Sequence, residues 1–312
     1  MANVTLVTGF LLLGLSSAQE LLYGGLSLLI YGAALASNLL ILTLTTMEPQ
    51  LQTPMYFFLK NLSVLDVFLV SVTIPKFAVN SLTHTNSISV LGCAFQLLLM
   101  TSFSAGEIFV LTAMSYDRYV AICRPLHYEA IMNDGACVWG AGISWAMGGL
   151  FGAVYAAGTF SMPFCGSKVI PQFFCDVPSL LRISCSETLK IVYASLGIGI
   201  CLATVCFVCI VTSYIYIFSA VLKIPTTNGQ SKAFSTCLPH LIVFTVFIIT
   251  AYFVYLKPPS NIPSAVDRLL SVLYMVVPPI LNPVTYSLRN NDMQRALRKL
   301  LRNTYGQEVP FM

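Results

Sequence analysis

Met114-Ser-Tyr-Asp-Arg-Tyr-Val-Ala-Ile-Cys123 ends the third of seven apolar stretches in this chain of 312 residues. It places an acid and an arginine, Asp117 and Arg118, side by side where an apolar helix would reach water. Ionisable side chains are costly within a bilayer, so those that occur in apolar segments are functional candidates. The run therefore predicts a charged switch at a membrane boundary.

The composition of the chain is that of an integral membrane protein. Only 9% of the residues are charged, 57% are hydrophobic, and the mean hydropathy is +0.81. A helix needs about 20 residues to cross a bilayer core of roughly 30 Å. Seven stretches have that length: 23–47, 55–80, 92–123, 137–161, 190–222, 233–256 and 267–288.

The predicted fold is an all-α membrane protein, a seven-transmembrane helix bundle over residues 23–288. An extracellular segment (1–22) precedes the bundle, and a short amphipathic cytoplasmic helix and tail (289–312) follow it. Basic residues favour the cytoplasmic side. In this chain they cluster in the tail, at the end of span three, and in the loops that follow spans three and five. These residues are Arg289, Arg295, Arg298, Lys299, Arg302, Arg118, Arg124, Lys223 and Lys232.

The N-terminal segment carries the opposite signal. Residues 1–22 contain no Lys or Arg, and Asn3-Val4-Thr5 is a glycan acceptor sequence that functions only on the lumenal side. We therefore expect the N-terminus outside, with a glycan on Asn3, and the C-terminus in the cytoplasm. The net charge of +4 reflects this asymmetry and gives no case for nucleic-acid binding.

Four of the ten cysteines lie at the outer end of span three and in the long loop between spans four and five: Cys93, Cys165, Cys175 and Cys185. Cysteines in an oxidising compartment pair, so two disulfides are expected. Four cysteines allow three pairings. A bond from Cys93 to Cys175 would draw the loop across the bundle, either to gate access or only to stabilise it.

Two acids lie inside the predicted spans. At 1.5 Å per residue, Glu107 is roughly 16 Å from Arg118 and Asp66 is roughly 18 Å from Pro54, which puts both at the same depth. Two facing carboxylates cannot both be ionised without a cation or a shared proton. The pair predicts a sodium-ion or proton site, with neutral ligands from Asn38, Ser104 and Asn282. The alternative is a polar network that only holds helices together.

The last span and the tail carry two further patterns. Pro278-Pro-Ile-Leu-Asn-Pro-Val-Thr-Tyr286 weakens helical hydrogen bonding and predicts a hinge. The tail helix separates an apolar stripe from a basic one, so we expect it to lie on the lipid of the inner leaflet. The apolar stripe is Met293, Ala296, Leu297, Leu300 and Leu301, and the basic stripe is Arg295, Arg298, Lys299 and Arg302.

Together these motifs resemble the rhodopsin-type G-protein-coupled receptors and, more narrowly, the vertebrate odorant receptors of the tetrapod-type class II. The resemblance covers almost the whole chain. It is carried by Leu51-Gln-Thr-Pro-Met-Tyr-Phe-Phe-Leu59, Leu62-Ser-Val-Leu-Asp66, Met114 to Cys123, Ser213-Tyr214, Lys232-Ala-Phe-Ser-Thr-Cys237, Pro239-His240-Leu and Asn282-Pro283-Val-Thr-Tyr286-Ser-Leu-Arg-Asn290.

The resemblance implies an odorant receptor of the plasma membrane that couples to the olfactory stimulatory G protein and raises cyclic AMP. It also implies that Asp117 holds Arg118 at rest, and that Arg118 lines the G-protein cavity once span six moves. The other switch residues would be Tyr119, Tyr214, His240, Asn282, Pro283 and Tyr286. The implied disulfides are Cys93–Cys175 and Cys165–Cys185, and Glu107 pairs with Asp66 in the family.

Three positions depart from the family pattern, and one of them is Pro239, which stands where a serine is common. Gln172 stands where many relatives have a histidine, so a metal site in the outer loop is not expected. Ile248 stands where many have a tyrosine at the floor of the pocket, which puts a hydrogen-bonding switch there in doubt.

The ligand pocket is predicted from helical geometry, because residues three or four apart share a face. The predicted lining residues are Met100, Thr101, Ser104, Ile108, Ile198, Leu202, Tyr252, Tyr255, Val272 and Met275. None is an acid or a base, so the ligand should be small, neutral and largely apolar. For each residue, ordinary interhelical packing is the alternative.

The sequence disfavours two other classes of protein. A transporter would show paired repeats with broken helices, and the two halves of this chain do not resemble each other. An intramembrane hydrolase needs a nucleophile and a base at mid-depth, whereas His240 lies near the cytoplasmic end of span six. The serious alternative is a non-olfactory chemosensor of the same family. The chain is therefore expected not to be an enzyme.

Overall fold

The computed structural model describes residues 9–12, 17–164, 169–170, 172–184, 189–223, 226–256, 273, 276–285 and 291–305. Among these residues, five helices are long and apolar enough to cross a membrane: Leu21–Met47 within the first helix, Pro54–Thr83, Val90–Cys123, Asp134–Phe160 and Tyr193–Val221 within the fifth long helix. The structure confirms the predicted all-α bundle.

The bundle is built from long helices. They are α1 (Ser17–Met47), α2 (Pro54–Thr83), α3 (Val90–Cys123), α5 (Asp134–Phe160), α7 (Leu189–Val221), α8 (Thr227–Leu256) and α9 (276–285). The connection between α5 and α7 is longer than those between the first four of them. Short helices α4 (Tyr128–Ile131) and α6 (Val177–Arg182) lie in the connections that follow α3 and α5, and α10 (Asn291–Tyr305) follows the bundle. α1 begins six residues before the predicted span.

The helix ends follow from local sequence. Ser89 caps α3 by accepting a hydrogen bond from the Gly92 amide at 3.0 Å, and Asn133 caps α5 in the same way. Such side chains satisfy amides that have no partner in the first helical turn. α2 ends at His84, which has a left-handed backbone with φ of 54°. The caps fix where each helix emerges from the bundle.

α3 lies at the centre of the bundle and contacts α2, α5, α7 and α8. Its closest neighbour is α5, because α5 presents glycines to it. A Cβ added at Gly148 would lie 2.5 Å from the Ser102 carbonyl oxygen, and one at Gly152 would lie 2.7 Å from that of Leu98. Small residues allow membrane helices to approach closely. These glycines therefore set the α3–α5 distance.

A small sheet covers the end of the bundle at which α3 begins. Its central strand is β1 (Gly9–Leu12), which pairs antiparallel with β2 (Ser87–Ser89) and parallel with β3 (Val169–Ile170). We call this sheet, together with residues 172–176 and α6, the lid. Phe10 and Leu12 are buried in the lid, at 2% and 4% exposure. The apolar N-terminal stretch is thus in part a structural strand, which the sequence did not reveal.

The tail helix α10 packs against the C-terminal end of α1 and the turn Pro49–Leu51. Met293 and Ala296 are buried there, at 1% and 6% exposure, in the same apolar cluster as Leu51. Part of the stripe expected to face lipid therefore faces protein. Lys299 Nζ also lies 2.9 Å from Glu48 Oε2, which adds a polar contact at the edge.

Candidate functional site

A cavity of about 380 Å³ lies between α3, α5, α7 and α8. This is small for a ligand pocket, since such pockets span roughly 300–1,000 Å³. The described lining residues include no charged side chain. They are Thr101, Ser104, Ala105, Ile108, Phe151, Tyr155, Leu196, Gly199, Ile200, Ala203, Thr204, Phe207, Phe247, Ile248 and Ala251.

The α3 wall of this cavity follows the predicted helical face. Thr101, Ser104 and Ile108 all line it. Met100 does not, because one residue of helix turns the side chain by about 100°. Met100 is instead buried against Leu69 and Phe174, between α2 and the lid. The structure thus brings three of the four predicted α3 residues to one surface.

The α7 wall differs from the prediction. Leu196, Gly199 and Ala203 line the cavity, whereas Ile198 and Leu202 do not. Positions 196, 199 and 203 share one helical face at 3.6 residues per turn, and Ile198 points away from it. The Ile198 side chain is 54% exposed on the outside of the bundle. The choice of Ile198 and Leu202 was wrong for this cavity because the sequence does not fix the rotation of an apolar helix.

The α8 wall is formed by Phe247, Ile248 and Ala251. Ile248, the position where many relatives have a tyrosine, therefore faces the cavity with a hydrocarbon side chain. The backbone of Tyr252 and Tyr255 continues α8, but their side chains lie outside the description, as do Val272 and Met275 entirely. Their ligand contacts stay predictions.

The lid is tied to the bundle by a disulfide and a glutamine. Cys93 and Cys175 form the disulfide, with 5.5 Å between their Cα atoms, which confirms this pairing. Gln96 donates to the Val72 carbonyl oxygen at 3.2 Å and accepts from the Cys175 amide at 3.0 Å. The buried side-chain amide of Gln96 thus connects α2, α3 and the lid.

The second expected disulfide falls on Cys165 and Cys185, which lie outside the described residues. Their chain neighbours Phe164 and Ser184 pair in an antiparallel bridge. The Cys165–Cys185 bond stays a prediction, and the bridge is compatible with it.

Asp176 follows the disulfide directly and caps α6, accepting from the Ser179 amide at 3.1 Å. Its side chain is 3% exposed. Burial raises the pKa of Asp176 from 3.8 to about 6, although the Ser179 hydrogen bonds and the charge of Arg182 oppose the shift. The connection between α5 and α7 therefore contains a buried acid whose pKa is raised.

The mid-membrane acids lie together as predicted. Asn282 Nδ2 donates to both Asp66 carboxylate oxygens, at 3.0 and 2.9 Å. The Glu107 carboxyl group contacts that of Asp66, and Glu107 Oε1 has no hydrogen-bond partner among the described residues. Asn38 joins α1 to α9 through the Pro279 carbonyl oxygen at 2.9 Å. Ser104 lines the cavity.

Around this pair, the buried Oδ1 atoms of Asn38 and Asn282 have no hydrogen-bond partner in the described part of the chain. Oxygen atoms of this kind suit a hard cation such as sodium. Within the same residues, no group of three or more His, Cys, Asp or Glu side chains could hold a metal ion. Any cation would therefore be held by two carboxyl groups and neutral oxygens.

At the C-terminal end of α3, Arg118 Nε lies 3.7 Å from Asp117 Oδ2. The Tyr128 hydroxyl donates to Asp117 Oδ1 at 2.7 Å, a contact from the second inner loop that the sequence reading missed. Burial raises the pKa of Tyr128, and the hydrogen bond to Asp117 and the charge of that acid raise it further. Arg118 Nη2 is buried without a hydrogen-bond partner among the described residues.

His240 joins α8 to α3 near the same end. Its Nε2 atom lies 2.9 Å from the Leu111 carbonyl oxygen, so this nitrogen carries the proton. The ring stacks on Tyr214 of α7, with 5.6 Å between ring centroids.

Tyr119, Pro283 and Tyr286 are further predicted switch residues. The Tyr119 ring contacts that of Tyr216, with 5.8 Å between centroids, and the Arg124 guanidinium lies 5.9 Å from the centre of the Tyr119 ring. Pro283 lies on α9, whereas Tyr286 and Asn3 are outside the described residues.

The fold and these sites define a multi-pass helical membrane protein with an uncharged cavity toward one end and an ionic pair at the other. Residues 27–304 match the family model described as olfactory receptor. The chain belongs to the olfactory receptor family, which confirms the resemblance carried by its motifs. The family consists of receptors, so the expectation that the chain is not an enzyme is also confirmed.

Several relatives are similar over their whole length. The chain is 77% identical over 314 residues to Olfactory receptor 14A2 of Homo sapiens, covering 100% of both. It is 51% identical to human Olfactory receptor 14A16, covering 97% of this chain and 98% of that protein. It is 43% identical to Olfactory receptor 1G1 of Gorilla gorilla gorilla, covering 96% of each.

Proposed function

We propose that the protein is an odorant receptor of the plasma membrane. It binds a small, neutral, largely apolar molecule in the cavity between α3, α5, α7 and α8, and activates a stimulatory olfactory G protein to raise cyclic AMP. The N-terminus, with a glycan on Asn3, is extracellular, and α10 is cytoplasmic. The relatives named as olfactory receptors support this proposal.

The observation that carries the ligand class is the uncharged cavity wall. A charged amine or carboxylate would lose its hydration there without gaining an opposite charge among the described lining residues. A neutral apolar molecule would instead bury hydrocarbon surface against Phe151, Phe207 and Phe247. The cavity therefore favours neutral volatile compounds.

Signal transfer requires two states of the bundle. An agonist that binds one state better than the other shifts the population toward it, and a G protein that binds the same state raises agonist affinity. We place the moving element at α8, which lines the cavity through Phe247 and Ile248. Outward movement of α8 would break the bond from His240 to the Leu111 carbonyl oxygen.

The same movement would expose Arg118. Its Nη2 atom has no hydrogen-bond partner within the described residues, so it can donate to carbonyl groups of an inserted G-protein segment. Asp117 and Tyr128 hold the arginine end of α3 at rest. α10 completes this surface beside α1 and contributes a basic face toward the anionic leaflet.

A screen in cells that report cyclic AMP tests the function. Neutral odorants should raise cyclic AMP, and charged amines or carboxylates should not. Arg118→Ala should abolish the response while surface expression, read through an N-terminal tag, is kept. Lys223→Ala is the control, because Lys223 is an exposed base at the cytoplasmic end of α7. A full response from Arg118→Ala would contradict the coupling role.

We further propose that Asp66 and Glu107 bind a sodium ion or share a proton in the resting state. Sodium would then lower agonist potency in the wild type, because it favours the state that holds it. Asp66→Asn removes one of the two carboxylates and should abolish this sensitivity to sodium replacement by a bulky organic cation. A wild-type receptor whose potency is independent of sodium would contradict the sodium form of the proposal.

A further inference from the structure

The cavity wall contains a small set of polar side-chain groups, and the hydrogen-bonding roles of three of them can be assigned. Among the described lining residues these are the hydroxyl groups of Thr101, Ser104, Tyr155 and Thr204. The other lining residues have hydrocarbon side chains or none. Ligand orientation therefore depends on which of these hydroxyl groups can donate a proton and which can only accept one.

Two of the hydroxyl groups already use their protons. The Thr101 hydroxyl donates to the Leu97 carbonyl oxygen one turn earlier, and the Thr204 hydroxyl donates to that of Ile200 at 2.7 Å. A carbonyl oxygen has no proton, so the threonine must be the donor in each bond. Each threonine then presents only lone pairs to the cavity, and a ligand must donate to it.

Ser104 differs from these threonines. It is buried, at 6% exposure, and its hydroxyl makes no hydrogen bond among the described residues. It lies three residues after Thr101, so their Cβ atoms are about 5–6 Å apart on one helical face. A ligand oxygen between them can accept a proton from Ser104 and donate one to Thr101.

We propose that the cavity selects neutral ligands that carry a hydroxyl group, namely alcohols and phenols with a hydrocarbon body. This inference rests on the proposed function, because it names the ligand class of the same cavity. A hydroxyl group both accepts and donates, which matches Ser104 and Thr101 together. A ketone, aldehyde or ether accepts only and would set its lone pairs against those of Thr101.

The test compares probes of matched shape in the cyclic AMP assay. Alkanols, cycloalkanols and phenols are each measured beside the corresponding carbonyl compound, where one exists, and the methyl ether. One net hydrogen bond changes affinity by about threefold to tenfold. The hydroxyl member of each active set should therefore have a half-maximal concentration lower by about that factor.

Two substitutions separate the roles of the two side chains. Thr101→Val keeps the shape of the side chain but removes the acceptor. The hydroxyl preference, which is the half-maximal concentration of the ether or carbonyl compound divided by that of the matched alcohol or phenol, should then fall to about one. Thr101→Ser restores the acceptor and should restore the preference. Ser104→Ala removes a donor that serves hydroxyl and ether ligands alike, so it should weaken both and leave their ratio unchanged.

Thr112→Val is the matched control. Thr112 lies on the same helix and donates to the Ile108 carbonyl oxygen at 2.8 Å in the same manner, but it does not line the cavity. It should leave the preference intact. If Thr101→Val lowers surface expression, the ratio between matched ligands still reports the preference, because expression affects both equally.

The outcomes distinguish this inference from the function on which it rests. Ether or carbonyl members as potent as the hydroxyl member, or a preference that survives Thr101→Val, would overturn the hydroxyl inference alone. If the receptor reaches the cell surface but no neutral odorant raises cyclic AMP, both the proposed function and the inference are overturned. A preference lost in Thr101→Val and kept in Thr112→Val supports it.

Discussion

The Tyr128 hydroxyl donates a 2.7 Å hydrogen bond to the carboxylate of Asp117, whose other oxygen faces Arg118. The second inner loop is thereby joined to the ionic pair at the end of α3. Because Tyr128 orients the acid, it also affects how firmly the acid holds the arginine.

Tyr128→Phe should therefore raise basal activity. A hydrogen bond to a charged group contributes about 1.5–3 kcal/mol, and part of that would be lost from the resting state. We expect basal cyclic AMP to rise by roughly threefold to tenfold per receptor at the surface. Tyr116→Phe is the control, since Tyr116 precedes Asp117 on α3 but is 49% exposed. Unchanged basal cyclic AMP in Tyr128→Phe would contradict the role.

Gly152→Ala should destabilise the bundle. The added Cβ would lie 2.7 Å from the Leu98 carbonyl oxygen and 2.9 Å from the Ser102 amide nitrogen, both of which are backbone atoms of α3. Overpacking of this kind costs about 1–3 kcal/mol. Gly149→Ala is the matched control on the same helix, because its Cβ would meet nothing within 4 Å. Surface expression and thermal unfolding in detergent measure the difference.

Phe10→Ala should loosen the lid. Phe10 is 2% exposed and its ring meets that of Phe164 with 5.3 Å between centroids. Truncation of a buried phenylalanine costs about 3–5 kcal/mol. Leu11→Ala is the control on the same strand, because Leu11 is 52% exposed. Proteolysis of the lid should accelerate in Phe10→Ala only. Equal rates in the two variants would show that β1 does not hold the lid.

Asp176 predicts a pH dependence of stability. Its folded pKa of about 6 lies above its ordinary value of 3.8, so folding binds a proton between these pH values. The free energy of unfolding therefore falls as pH rises through this window, by about 1–3 kcal/mol. Asp176→Asn keeps the cap of α6 and removes the charge. The difference in thermal stability between the Asp176→Asn variant and the wild type should grow in favour of the variant from pH 4.5 to pH 7. A difference that does not change with pH would contradict this assignment.

The ion pair between Lys299 and Glu48 should contribute little. The side chains are 54% and 18% exposed, and exposed pairs contribute about 0.2–1 kcal/mol. The charge swap Glu48→Lys with Lys299→Glu should behave like the wild type in thermal unfolding. Met293→Ser, which places a hydroxyl in the apolar cluster beneath α10, should lower stability more than the single change Lys299→Glu. The reverse order would show that the ion pair holds the helix.

The sequence determined those features that depend on local composition. Apolar length defined the spans, and the motif from Met114 to Cys123 gave the ionic pair and the family. The depth of Asp66 and Glu107 followed from helical rise alone, which requires no knowledge of neighbouring helices. Thr101, Ser104 and Ile108 of α3 line the cavity together because their spacing places them on one helical face.

Only the tertiary structure decided how elements face one another. α7 is apolar around its whole circumference, so the sequence could not show that Gly199 lines the cavity and Ile198 faces outward. β1 pairs with strands about 80 and 160 residues away along the chain, and Tyr128 meets Asp117 across a loop. Long-range contacts of this kind depend on how helices pack, because hydropathy specifies burial but does not specify a partner.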